Sequence, residues 1–216
     1  MKKKLFTLLL IVMAFATTAT AQSRRSLRIN EVMVQNDSSV VDDYGCHSAW
    51  IELFNSNYAP LEISSIYITN NREVLKVTDP QKRKAMMYAV PLGDVNTKIP
   101  KRQHILFWAD NQPTRGTFHT NFTLCPDKDT WIGLYDSGNS LMDEMTLPAG
   151  VLKADQSYAR VSDAAPEWEV KGAMPDSYVT PSTNNKTIDS NPKKDKFSSH
   201  DPVGIGMAIS AMSVVF

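Results

Sequence analysis

Between Ser26 and Val161 the chain is a succession of short apolar runs broken by turn residues, a pattern that predicts strands rather than helices. Ser26 to Gln35 alternates Leu27, Ile29, Val32 and Val34 with polar residues, and the alternation slips at the Glu31-Val32 step. This predicts a first strand with a bulge. Trp50 to Asn55 predicts a second strand, stopped by Asn55-Ser56-Asn57. Leu61 and Ile63 lead into a strand over Ile66 to Thr69, and Met86 to Val90 forms another before Pro91. The mostly polar stretch from Arg72 to Arg83 reads as an exposed excursion.

His104 to Ala109 and Phe122 to Leu124 follow as strands. Trp131 to Tyr135 and Leu141 to Met145 flank Asp136-Ser137-Gly138-Asn139, a hairpin turn in which Gly138 is expected to take positive φ. Ser157 to Val161 closes the series. Short strands at this spacing, with no sustained 3.6-residue period, predict an all-β antiparallel sandwich. Period-2 patterning assigns Ile29, Ile51, Leu53, Leu106, Trp108, Phe122, Ile132 and Leu134 to its interior. Trp50, Trp108 and Trp131 are read as core, and Arg160 as a tie from the last strand to an acidic group or carbonyl.

Both ends depart from this pattern. Lys2, Lys3 and Lys4 precede an apolar run from Leu5 to Ala16, and Ala19-Thr20-Ala21 makes a small-x-small cleavage site. Residues 1–21 therefore read as a secretory signal peptide, with Gln22 first in the mature chain. Residues 22–184 form the predicted sandwich domain, and residues 185–202, rich in Lys, Ser, Asn and Asp, read as a flexible tether. Residues 203–216 are uncharged and apolar, with Gly204, Gly206 and Ser210 suited to packed membrane helices. A span needs roughly 20 apolar residues, so this run is expected to be the start of a transmembrane helix cut short.

Composition narrows the function classes. The whole chain carries 23 basic and 23 acidic side chains, and without Lys2, Lys3 and Lys4 the balance falls to about −3. No basic stripe accompanies it, which argues against a nucleic-acid partner. Export permits a disulfide between Cys46 and Cys125. It would close a loop of about 80 residues, worth roughly 4 to 5 kcal/mol in the chain-entropy picture. The alternative is two unpaired small hydrophobes.

No cluster of residues announces chemistry. The histidines His47, His104, His119 and His200 sit in no triad-like phrase, and Cys46-His47 has no second pair at metal-ligand spacing. Asp136-Ser137-Gly138-Asn139 offers too few oxygens for calcium. No catalytic residue, cofactor or metal ligand is expected. Trp168, between Glu167 and Glu169, is the candidate for an exposed contact in a polar loop.

Seven phrases in order carry a resemblance. They are Ile29-Asn30-Glu31-Val32-Met33, Trp50-Ile51-Glu52-Leu53-Phe54-Asn55, Ile105-Leu106-Phe107-Trp108-Ala109-Asp110, His119-Thr120-Asn121-Phe122-Thr123-Leu124, Ile132-Gly133-Leu134-Tyr135-Asp136, Ser157-Tyr158-Ala159-Arg160 and Thr180-Pro181-Ser182-Thr183-Asn184. Together they resemble the lamin tail domain, which implies an immunoglobulin-like sandwich and a binding scaffold. Ser182 departs from the glycine usual in the last phrase, and Arg72 to Lys98 is longer than a minimal domain needs.

A second resemblance lies in Gly206-Met207 and Met212-Ser213-Val214-Val215-Phe216, which look like the start of the membrane helix in the gamma chain of sodium-pumping oxaloacetate decarboxylases. It implies a domain on the outer, periplasmic side of the cytoplasmic membrane, single-pass anchored, with the ion-translocating and carboxyltransferase subunits of the pump as partners. The rival expectations are a freely secreted adhesion or carbohydrate-binding module with a protein or glycan ligand, and an accessory domain of an exported hydrolase.

Overall fold

A computed structural model of the chain describes residues 26–172 and 178–185. The signal peptide at 1–21, the tether beyond Asn185 and the apolar run at 203–216 lie outside the described residues. The described residues contain eleven strands, namely β1 (Leu27–Met33), β2 (Trp50–Asn55), β3 (Leu61–Glu62), β4 (Tyr67–Thr69), β5 (Tyr88–Ala89), β6 (Lys98–Ile99), β7 (His104–Trp108), β8 (Thr130–Tyr135), β9 (Leu141–Leu147), β10 (Ser157–Arg160) and β11 (Trp168–Lys171). They form a five-stranded sheet in the order β11-β10-β1-β2-β7, a four-stranded sheet in the order β5-β4-β8-β9 and a two-stranded ribbon β3-β6. Every strand pairing is antiparallel. The described chain is therefore an all-β sandwich.

One face of each large sheet meets in a common core. Ile29, Val32, Ile51, Leu53 and Phe107 come from the five-stranded sheet, and Ile68, Ile132, Leu134, Met145 and Leu147 from the four-stranded one. Period 2 then forces the intervening residues outward; in β2 and β8 these are buried too, whereas Glu144 and Thr146 of β9 are exposed. Met33, Trp50 and Trp108 form a separate cluster with Leu106, Val40 and Val179. Trp131, Tyr135, Met87 and Val74 form another with Tyr67 and Met86. Trp50, Trp108 and Trp131 are thus buried, but on the faces opposite the shared core.

This corrects the expected interior at two positions. In β7 the inward residues are Ile105 and Phe107, so Leu106 and Trp108 belong to the outer cluster. The strand His104–Trp108 is apolar on both faces, and its pattern cannot say which set faces in. Phe122 is half-buried and lies in no strand; Thr123 makes only an isolated bridge to Asp110.

The Arg72–Arg83 excursion is not structureless. A 3-10 turn, Arg72–Lys76, drops Val74 fully into the cluster beneath β8. The helix α1 (Pro80–Ala85) follows, with Pro80 in its first turn and Asp79 capping the backbone N–H of Gln81 and Lys82. Among the described residues no helix is long and apolar enough to cross a membrane.

The bulge in β1 is real and falls at Asn30, where the register steps from Ile29 opposite Leu53 to Glu31 opposite Glu52. Ile29 and Val32 both stay in the core, so Asn30 and Glu31 share the outer face. That local irregularity places two polar side chains together where a regular strand would place one.

Candidate functional site

The outer face of the five-stranded sheet carries a buried polar lattice. Asn30 and Glu31 from β1, Glu52 from β2, Ser157 from β10 and Lys171 from β11 are all buried. So are Thr180 and Asn185 from the C-terminal segment that crosses them. Lattice partners come from chain positions up to 155 residues apart.

Glu31 accepts from the Ser157 hydroxyl at 2.5 Å, the Thr180 backbone N–H at 3.0 Å and the Thr180 hydroxyl at 2.6 Å. Glu52 accepts from the Asn30 amide at 2.9 Å and the Ser182 backbone N–H at 2.6 Å. Asp163 accepts from the Asn30 amide at 3.1 Å and the Asn185 N–H at 3.0 Å, and its Oδ1 lies 3.2 Å from His104 Nε2. Asn185 reaches back to the Asn30 carbonyl at 3.0 Å, and Lys171 donates to the Asn185 carbonyl at 2.7 Å. Beside the lattice, Val179 packs on Met33, Trp50 and Trp108. Residues 178–185 are thus fastened by polar groups at one end and an aromatic cluster at the other.

Electrostatics separate the carboxyls. Burial, with Glu31 adding repulsion, pushes Glu52 well above the usual carboxylate range despite the donors from Asn30 and Ser182. Asp163 shows the opposite balance. Burial raises it, but the hydrogen bond and charge of His104, with the Asn185 and Asn30 donors, outweigh that and leave it lowered. Asp163 is the anionic partner in the lattice, and Glu52 is held toward its neutral form.

The residues singled out in the sequence fall elsewhere. Arg160 does tie its strand down, donating to the Ile29 carbonyl at 2.7 Å, to Asp143 at 3.0 Å and to the Ala165 carbonyl. Trp168 is not in a loop. It opens β11, is half-buried, stacks on Tyr158 with centroids 5.2 Å apart, and carries the Arg160 guanidinium 4.6 Å above its ring. Glu167, Glu169 and Lys171 disguised a short strand in which Trp168 and Val170 alternate with charged residues.

Cys46 and Cys125 are free and half-buried in this structure, in different surroundings. Cys46 Sγ lies 3.7 Å from an Arg115 guanidinium nitrogen. Cys125 lines a polar cleft of about 300 Å³ with Asn70, Thr123, Lys128 and Asp129. Three nearby acidic residues, Asp129, Asp143 and Glu144, serve separate structural tasks. Asp143 holds Arg160 and the Ile29 N–H, Glu144 accepts from the Trp131 indole at 2.8 Å, and Asp129 accepts from the Ala149 N–H.

The lattice was missed in the sequence because its members share no spacing. The available signal was two acidic residues, Glu31 and Glu52, inside strands rich in apolar residues, since a charge in a buried strand demands a partner. Comparison with known protein families and with curated proteins returns no match.

Proposed function

We propose that this chain is an exported, non-catalytic binding or spacer module of lamin-tail, immunoglobulin-like type, held on the outer side of the cytoplasmic membrane. The observation that carries the reading is the fastening of residues 178–185 across β1, β2 and the β10–β11 loop by Glu31, Glu52, Asn30 and Asp163. A domain hung from a tether needs its point of exit fixed to the fold, or tension on the tether peels the last segment away. Here the last described residue, Asn185, is buried and bonded through its side chain, its N–H and its carbonyl. The polar residues that follow it then act as the tether.

The finer reading rests on the resemblance of Gly206-Met207 and Met212-Ser213-Val214-Val215-Phe216 to a decarboxylase gamma chain. In that reading the sandwich is the outer part of a gamma-type subunit of a sodium-translocating oxaloacetate decarboxylase. Biotin and catalysis belong to its partner subunits. A freely secreted adhesion or glycan-binding module is the alternative.

The test is expression of the complete reading frame in its own cells, followed by fractionation and gentle affinity purification. Recovery in the membrane fraction with a biotin-carrying partner supports the pump reading. Recovery in the membrane without one leaves a tethered module. Wholly soluble protein overturns the attachment.

A further inference from the structure

A second polar cluster lies apart from the polar lattice that clasps residues 178–185, and the resemblances assign it no role. Asp42 comes from the β1–β2 loop, Asp110 lies just past the end of β7, and His119 lies in the following loop. One potential ligand atom from each falls within 4.8 Å of the other two. We propose that Asp42, Asp110 and His119 bind a divalent transition-metal ion of the zinc type.

Three features build the site. Each carboxylate has one oxygen committed to backbone and the other turned to the cluster. Asp42 Oδ1 accepts from the Tyr44 N–H at 2.9 Å and the Cys46 N–H at 2.8 Å. Asp110 Oδ1 accepts from the Gln112 N–H at 3.0 Å, while its Oδ2 lies 2.8 Å from His119 Nδ1. Outer bonds of this kind fix ligand carboxylates in place. Asp42 Oδ2, the oxygen facing the cluster, is wholly buried and has no hydrogen-bond partner. A buried carboxylate oxygen left without a donor is costly, and a cation supplies what it lacks.

The backbone holds the histidine as firmly. His119 bridges Trp108 in parallel, with the Trp108 N–H donating to the Phe118 carbonyl and the Thr120 N–H to the Trp108 carbonyl. The imidazole side chain is only 5% exposed.

Arg115 is the cation already nearby. Its Nη1 lies 3.6 Å from Asp42 Oδ2 and 3.7 Å from Asp110 Oδ2, beyond hydrogen-bond reach of both. Its guanidinium sits 4.9 Å over the Tyr44 ring, and the Tyr44 hydroxyl donates to the Arg115 carbonyl at 2.9 Å. Tyr44 and Arg115 thus latch to each other at the rim, and both are partly open to solvent. With a neutral imidazole the two carboxylates and Arg115 leave one negative charge, which a divalent ion more than offsets.

The donor set selects the ion. One imidazole and two carboxylates suit zinc or a similar borderline ion, whereas calcium and magnesium want oxygen alone. Metal bonds near 2.1 Å put tetrahedral ligand atoms about 3.4 Å apart, so each atom needs to move by on the order of 1 Å. Three protein ligands leave one position for water or an anionic group, with Arg115 beside it. The ion would staple the β1–β2 loop to the end of β7.

The test is zinc binding to the full mature chain, stripped with chelator and followed by calorimetry and zinc-edge X-ray absorption. The expected result is one zinc per chain, a first shell of nitrogen and oxygen without sulfur, and no displacement by equimolar calcium or magnesium. Asp42→Asn and His119→Ala should each weaken binding at least about tenfold, and Cys46→Ser should leave it unchanged. No saturable uptake by the wild-type chain overturns the proposal, as does uptake that Asp42→Asn does not weaken. Sulfur in the shell, or loss of binding in Cys46→Ser, overturns this ligand set. The absorption spectrum uses wild-type protein, so the answer survives a variant that fails to fold.

Discussion

Glu31 and Glu52 stand directly opposite each other on adjacent strands, and neither is exposed to solvent. Like charges so placed repel, and burial removes the water that would screen them. The fold answers by giving each carboxyl its own donors, with those to Glu31 coming from Ser157 and Thr180 and those to Glu52 from Asn30 and Ser182. It also biases Glu52 toward its protonated form. The clasp over residues 178–185 therefore depends on where one proton sits.

Stability should fall as pH rises because of Glu52. Its folded pKa is raised above the unfolded value of about 4.3, so the native state holds the proton more tightly. That contribution is complete below about pH 4.3 and is lost as pH climbs toward the folded pKa. Urea midpoints should decline as pH rises above about 4.3. In Glu52→Gln, which cannot titrate, the decline should flatten, and an unchanged slope would assign the effect to another group.

Asp163 supplies the opposite limb. Its folded pKa is lowered, so its contribution is present above about pH 3.9 and disappears as pH falls through the folded value. Asp163→Asn should destabilise the protein at pH 7 by roughly 1 to 3 kcal/mol, since it removes a charged acceptor shared by His104, Asn30 and Asn185. Denaturant melts at pH 7 and at about pH 2.5, well below the unfolded value, read it directly. The variant should lose less than the wild type on acidification.

Gly133 sits in the middle of β8 for a steric reason. A Cβ there would lie 2.4 Å from the Trp131 ring and 3.0 Å from the Tyr135 ring. The tryptophan cannot swing aside freely, because its indole N–H is bound to Glu144. Gly133→Ala should therefore destabilise by about 1 to 3 kcal/mol, with loss of near-ultraviolet aromatic ellipticity. A thermal midpoint equal to the wild type would mean the outer cluster has slack.

What the sequence disclosed followed its periodicity. Trp50–Asn55 and the β8–β9 hairpin were legible because alternation and turn residues agree there. The facing of Leu106 and Trp108 was not, because β7 is covered on both sides. In the hairpin turn, positive φ falls on Asn139 at 70° rather than on Gly138. Asparagine tolerates the left-handed region, so either residue satisfied the pattern. The Asp79-Pro80 cap was a visible helix start, obscured by the polar run around it. Neither the clasp nor the Asp42–Asp110–His119 cluster has a local signature. Each exists only once the sheet brings distant residues together.

The turn offers a stabilising change. Asn139 holds a left-handed conformation and leaves its Oδ1 buried without a partner. Asn139→Gly removes both burdens and should raise stability by a few tenths to about 1 kcal/mol. Asn139→Val places a branched side chain at positive φ and should lower it by roughly 1 to 2 kcal/mol. Thermal melts of the pair check the sign, and a reversed order would refute the turn geometry.

Thr180 tests the clasp most directly, because its hydroxyl joins the segment to the sheet. That oxygen lies 2.6 Å from Glu31 Oε2 and 2.8 Å from Asn185 Oδ1. Valine matches threonine in shape but leaves Glu31 Oε2 buried without its donor. Thr180→Val should cost about 1 to 3 kcal/mol. The loss should concentrate in the segment, since β1 and β2 keep their pairing with β10 and β7. Hydrogen exchange should accelerate at 178–185 well before it does in β2, and limited proteolysis should cut there first. Protection lost evenly across the sheet would mean that residues 178–185 are part of the cooperative core rather than a separable fastening.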